Sequence, residues 1–202
     1  MIELYKSASH KNVMFNDLAG GRMVQSNQHI IIDGRESILL DPGGHKVYTD
    51  LLVEMSFNTS PGEVKYIFFS HQDPDVLAAA NGWLLISDAQ AYIPQVWTRF
   101  IPHFGIDEYM VKRVNGIPDE GMELKLNDTM LKIVPAHFLH SPGNFQLYDP
   151  SSKILYTGDL GTSLGQDYFQ VENFEGHIRY MEVFHKRYMA GSKAIKKWAS
   201  MV

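Results

Sequence analysis

Apolar and polar positions change period several times along the chain, and each change marks an element. His29 to Asp33 (HIIID) reads as a short apolar strand, Asp33-Gly34 as a tight turn, and Ser37 to Asp41 (SILLD) as the returning strand of a hairpin. Pro42-Gly43-Gly44 then breaks the chain. From Lys46 to Phe57, Val47, Leu51, Leu52 and Met55 recur at helical spacing, and Ser60-Pro61-Gly62 ends that helix. Lys65 to Ser70 (KYIFFS) is short, β-branched and aromatic, the pattern of a buried strand. Val76 to Leu85 reads as a helix weakened by Gly82, Ala89 to Ile93 as a strand, and Gln95 to Ile101 as a helix stopped by Pro102. Met122–Leu126 and Thr129–Val134 are strands around Asn127-Asp128. Phe145–Tyr148 and Lys153–Thr157 are strands around residues 149–152, and Val183 to Met201 is a closing helix. Strands joined by tight turns, interleaved with helices, predict an α+β fold in which mixed sheets are flanked by helices.

Composition narrows the chemistry. The 202 residues are 45% hydrophobic and 20% charged, with a net charge of −5. That is the make-up of one folded domain spanning residues 1–202, with no repeat or linker. No run reaches the ~20 apolar residues that cross a bilayer, and the start has no secretory h-region, so a cytoplasmic protein without a membrane partner is expected. The mildly acidic balance gives no footprint for nucleic acid. The absence of Cys excludes disulfides, thiolate metal sites and cysteine nucleophiles. Metal chemistry here has to use His, Asp and Glu.

Three segments carry such residues at strand ends. Directly after Lys65–Ser70 come His71, Asp73 and Asp75, spaced two apart and stiffened by Pro74. Imidazole with carboxylates suits divalent iron, manganese or zinc. Read blandly, Asp73 or Asp75 caps the next helix and His71 is a surface residue. The second segment is His137-Phe138-Leu139-His140-Ser141-Pro142-Gly143-Asn144, with His140 against the turn as the stronger ligand candidate and His137 as a packing residue. The third is Tyr156-Thr157-Gly158-Asp159, where Gly158 allows close approach and Asp159 stands at a strand end. Alone, it also reads as a solvated turn.

Together, SHQDPD (Ser70–Asp75), LHSPGN (Leu139–Asn144), YTGDLG (Tyr156–Gly161) and the upstream LLDPGG (Leu39–Gly44) resemble the motifs of the metallo-β-lactamase superfamily. The resemblance implies an αββα sandwich of two mixed sheets between helices. A carboxylate, Asp73, stands where the hydrolase branch carries His, which resembles the flavodiiron branch and its relatives, the oxygen-binding diiron sensors. The resemblance implies two non-haem irons, with zinc or manganese as alternative metals, and O₂ or NO as the ligand. It places His71, Asp73 and His140 on iron 1, Asp159 as the bridge, and Asp75 on iron 2. No flavodoxin-like pattern follows, so no FMN is built in. Without that electron donor a bound oxygen species persists, which favours sensing over reduction. A signalling or electron-transfer partner then follows, and a homodimer is compatible with it.

Two departures stand out. Val76 replaces a His that the family gives iron 2, and the family's late His has no counterpart, since His177 and His185 fall too early. Either the sequence stops before that His, or Asp75 and Asp159 alone hold iron 2. A zinc hydrolase of the same fold and a metal-poor interaction module are the competing expectations. Trp83, Trp97, Phe100 and Phe104 are expected in the core rather than around a gas pocket. Tyr5, Tyr92 and Tyr168 are phenols that could serve a bound oxyanion.

Overall fold

The computed structural model describes residues 1–21, 24 and 26–202. The first half of the chain builds a seven-stranded sheet in sequential order. β1 (Ile2–Lys6), β2 (His10–Phe15), β3 (Gln28–Asp33) and β4 (Glu36–Leu40) pair antiparallel. α1 (Tyr48–Ser56) crosses back to β5 (Val64–Phe68). α2 (Pro74–Leu77) and α3 (Ala80–Ile86) lead to β6 (Gln90–Pro94), and α4 (Glu108–Val111) leads to β7 (Val114–Ile117). β4 to β7 are all parallel, as crossovers through helices require. A second sheet of β8 (Met122–Leu126), β9 (Thr129–Pro135), β10 (Phe145–Asp149) and β11 (Ile154–Tyr156) is antiparallel throughout, with tight turns joining β8 to β9 and β10 to β11 and a longer loop joining β9 to β10. α5 (Phe174–Tyr188) and α6 (Ser192–Ala199) close the chain.

The two sheets bury Ile31, Ile38, Leu40 and Phe68 of the first against Leu131, Ile133, Phe145 and Leu147 of the second. Each such side chain contributes about 1.5–3 kcal/mol when fully buried. The opposite face of the larger sheet packs Ile30, Leu39 and Ile67 against Leu51 and Met55 of α1 and Trp83 and Leu84 of α3. On the far side of the smaller sheet, α5 and α6 dock around Ala136, Leu139 and Met189. Trp198 of α6 donates to Gln146 of β10 at 2.8 Å. This is the expected αββα layering. Trp83 is fully buried, and Trp97 and Phe104 pack against the same cluster.

The sequence pattern misplaces several elements. The first hairpin is absent from it because β2 carries polar His10 and Asn12 in buried positions, so its alternation is hidden. β7 is short and interrupted by Gly116. The Val76–Leu85 helix begins earlier, at Pro74, and breaks in two around Ala78-Ala79. The Gln95 segment is 3-10 helix and runs through Pro102 to Phe104, ending where Gly105 takes φ +69°. The closing helix is two helices. Asn173 caps α5 by accepting from Gly176 N–H at 3.1 Å, and Gly191 at φ +140° separates it from α6.

Candidate metal centre

The parallel strands deliver polar residues at their C-terminal ends, the edge where ligands bind in open α/β sheets. Asp41 directly follows β4, and Ser70-His71 follow β5 after Phe69. The smaller sheet meets that edge with the loop between β9 and β10, which carries His140, and with the turn after β11, which carries Asp159. Phe145 N–H donates to Ser70 O at 2.9 Å and joins the two sheets beside the site. Gly158 holds φ +56°, and a Cβ there would lie 3.2 Å from Ser70 Oγ. The close approach expected of this glycine is therefore made by the β5 end.

The imidazole nitrogens and carboxylates converge. His140 Nε2 lies 3.2 Å from Asp159 Oδ2 and 3.4 Å from Asp73 Oδ2. His71 Nε2 lies 3.7 Å from Asp73 Oδ2 and 3.9 Å from Asp159 Oδ2. The two rings meet edge to face with centroids 4.9 Å apart. Among the described residues, His71, Asp73 and His140 offer ligand atoms within 4.8 Å of one another. His140 Nε2 is buried, and although two carboxylate oxygens are near, neither is aligned to accept a hydrogen bond from it. Atoms that converge without bonding one another fit a common third atom, and imidazole with carboxylate is a donor set for divalent iron, manganese or zinc.

The surrounding groups hold this arrangement. Ser70 Oγ donates to Asp41 Oδ2 at 2.7 Å and lies 2.9 Å from His71 Nδ1, while Ser70 N–H donates to Asp41 Oδ1 at 2.7 Å. His71 is almost wholly buried. With its Nδ1 engaged, its Nε2 is directed at the cluster. Gln72 bridges the two ligand loops. Its Nε2 donates to Asp73 Oδ1 at 2.8 Å, and its Oε1 accepts from Ser141 Oγ at 2.6 Å.

Electrostatics follow from the contacts. The imidazoles of His140 and His71 hold the Asp73 carboxyl well below the usual carboxylate range. Asp159 and Asp73 push His140 up to about 9. Burial pulls His71 down, but Asp73, Asp41 and Asp159 outweigh it and leave it raised. Burial, with Asp159 and Asp73 nearby, raises Asp75, and burial pushes Asp41 up to about 6. Asp41, Asp73, Asp75 and Asp159 against two imidazoles make a site that attracts cations.

The sequence-derived candidates sort as follows. His71, Asp73, His140 and Asp159 are brought together, and Asp75 lies near enough to feel Asp73 and Asp159. His137 stands apart, with its Nε2 2.8 Å from the Asp119 carbonyl and its ring against Phe145. Val76 is buried in the core. His177 and His185 spend both ring nitrogens on other partners. Tyr168 bonds His177. Asp41, Ser70, Gln72 and Ser141 stand inside the quoted motifs, but short polar residues beside a turn carry no signal of their own.

A family model described as ODP family beta lactamase matches residues 24–202. The chain belongs to the ODP family. The chain is similar to the structure of the peroxy diiron species of the chemotaxis sensor ODP (40% identity, TM-score 0.88), covering 99% of this chain and 80% of that one. The apo state of the chemotaxis sensor ODP from T. denticola is similar at 39% identity and TM-score 0.86, with the same coverage. A flavo di-iron protein variant from Thermotoga maritima shares the fold at TM-score 0.80 and 16% identity, over 99% of this chain and 53% of that one. Among curated proteins, an uncharacterized protein of Methanocaldococcus jannaschii is 25% identical over 153 residues, 75% of this chain. The match spans only 37% of that relative. Within this ODP-family chain the cluster falls on the strand ends that the motifs marked.

Proposed function

We propose that this chain is a non-haem diiron protein that binds O₂ and acts in oxygen sensing. The observation that carries the reading is the convergence of His71, Asp73, His140 and Asp159 around a buried, unbonded His140 Nε2. It occurs in a chain 40% identical, over 99% of its length, to a chemotaxis sensor captured as a peroxy diiron species. In this reading His71, Asp73 and His140 hold the first iron, Asp159 bridges, and Asp75 serves the second. Two irons held by these residues would supply ferrous–ferric redox chemistry towards O₂.

The chain's own residues set the conditions. Asp41 and Ser70 orient His71, and Gln72 holds Asp73 Oδ1 so that Oδ2 faces the imidazoles. Metal binding competes with protonation of His140, which the nearby Asp159 and Asp73 charges favour, so affinity falls as pH falls. The Phe184 and Tyr188 rings stand over His140, with centroids 6.4 and 6.1 Å from it, and limit water on that side. Asp73, in place of an imidazole, argues against zinc hydrolysis. No helix among the described residues is long and apolar enough to cross a membrane. A cytoplasmic location and a signalling or electron-transfer partner complete the reading.

Elemental analysis tests it first, followed by anaerobic ferrous loading and an absorbance scan on adding O₂. Two irons per chain and a slowly decaying visible band are expected. Zinc alone, silence towards O₂ and esterase turnover would replace this reading with the hydrolase.

A further inference from the structure

Asp159 lies between two glycines at positive φ, Gly158 (+56°) and Gly161 (+98°). Such positions suit glycine, and the turn bonds within residues 157–162 shape the loop without tying it to the helix beside it. Gly158 is packed against Ser70, but a Cβ at Gly161 would meet nothing within 4 Å. The turn itself is closed by Thr162 N–H donating to Asp159 O at 3.1 Å, and Ser163 Oγ donates to Gly161 O at 3.0 Å; the tie from this turn to α5 is the Gly161 N–H, which donates to His185 Nε2 at 3.0 Å. His185 Nδ1–H donates in turn to the Met181 carbonyl at 2.8 Å, which fixes the tautomer and leaves Nε2 as an acceptor.

The same helix secures the rest of this loop. Leu164 N–H donates to Tyr180 O at 3.0 Å. Buried His177 sits between Ser163 Oγ at 2.7 Å and Tyr168 Oη at 2.8 Å. Positions 177, 181, 184, 185 and 188 share one side of a helix. α5 therefore reaches the loop that follows Asp159 through hydrogen bonds and His140 through aromatic contacts.

We propose that His185 is a positioning residue for Asp159: an uncharged acceptor that pins Gly161 so that one carboxylate serves both irons. The proposal rests on the diiron reading above. It gives a function to one of the two late histidines that meet no metal-ligand atom.

The test is anaerobic titration with ferrous ion alone, reading two binding steps, on wild type, His185→Phe and His185→Gln. Phe keeps a ring and removes the acceptor, whereas the Gln amide oxygen can accept where Nε2 does. The second step is expected to weaken about ten- to a hundredfold in H185F, with the first nearly unchanged and H185Q close to wild type. Equal second-step affinities in wild type and a folded H185F overturn the proposal. A wild type that never binds a second metal overturns the diiron reading instead. A second measurement needs no substitution: a scalar coupling across Gly161 N–H···Nε2 in metal-free ¹⁵N-labelled protein. Its presence, with the Nδ1–H tautomer, is expected, and a freely exchanging Gly161 amide refutes the contact even if H185F does not fold.

Discussion

Replacing Asp149 with Asn should cost the protein much of its stability, because the end of the sandwich away from the metal centre is closed by a buried ionic cluster. Asp149 Oδ2 accepts from His10 Nε2 at 2.7 Å, Asn12 Nδ2 at 2.7 Å and Ser152 Oγ at 2.6 Å, and Oδ1 accepts from Ser151 N–H at 3.0 Å. His10 Nδ1 is 3.6 Å from Asp33 Oδ1. Burial would raise Asp149, but these donors outweigh it and bring the carboxyl down to about 2. Burial would lower His10, but Asp149 and Asp33 outweigh it and leave it raised. Removing one partner of such a pair strands the other, at about 3–5 kcal/mol. Unfolding entropy of about 2.1 cal/mol/K per residue gives roughly 0.4 kcal/mol/K for this chain, so Tm should fall about 7–12 °C. The depressed Asp149 contributes fully above about pH 4 and is lost as pH falls towards its folded value. The raised His10 contributes fully below about pH 6.5 and is lost as pH rises through its folded value. The deficit of D149N against wild type should therefore be largest between about pH 4 and 6.5 and shrink on both sides. Calorimetric melts in chelator from below about pH 4 to above about pH 6.5, with His10→Gln closing a double-mutant cycle, measure it. A deficit under about 2 °C, or one that does not change with pH, would refute the reasoning.

Other perturbations act at the metal centre. Asp159→Ala should remove both metals, and elemental analysis that still finds two full equivalents of iron would end its bridging role. Gln72→Leu removes the link between the two ligand loops and should weaken metal binding about tenfold or more, with little change in Tm, as read by competition with a chelator. Gly158→Ala forces a side chain into left-handed backbone and against Ser70, which should lower stability by about 1–2 kcal/mol in denaturant melts. An unchanged midpoint would show that the turn relaxes.

The second iron is the weaker of the two on the diiron reading, and the packing explains why. On that reading His71, Asp73 and His140 serve the first position, Asp159 serves both, and Asp75 is the further donor that the described residues place near the second. Val76, at the place where the resemblance expects a histidine, is committed to the core beneath α2 and cannot turn outward without opening a cavity among buried side chains. On that reading Val76 gives the core a packed side chain where the second position would otherwise gain a ligand. The centre should load in sequence, the first metal tightly and the second in a step that depends on how Asp159 is aimed. A single titration step with both metals equally tight would contradict this division.

The same contrast explains what could be read from residues alone. Strand ends that carry chemistry are legible because apolar runs such as KYIFFS stop abruptly at His71, and the His140 and Asp159 segments show the same change. β2 was not legible, since His10 and Asn12 are polar yet buried, and only their partners on β10 and β11 make that tolerable. The start of α5 was hidden as well. Its inner face carries His177, Tyr180 and His185, polar or aromatic groups that face a loop rather than an apolar core, so no helical stripe of aliphatic residues marks it. Both gaps have one cause. Hydrophobic periodicity finds elements that bury hydrocarbon, whereas elements held by specific hydrogen bonds become visible only when the partner, distant in sequence, is in place. In this protein the second class includes β2, which closes the sandwich, and α5, which aims the bridging carboxylate in the proposed centre.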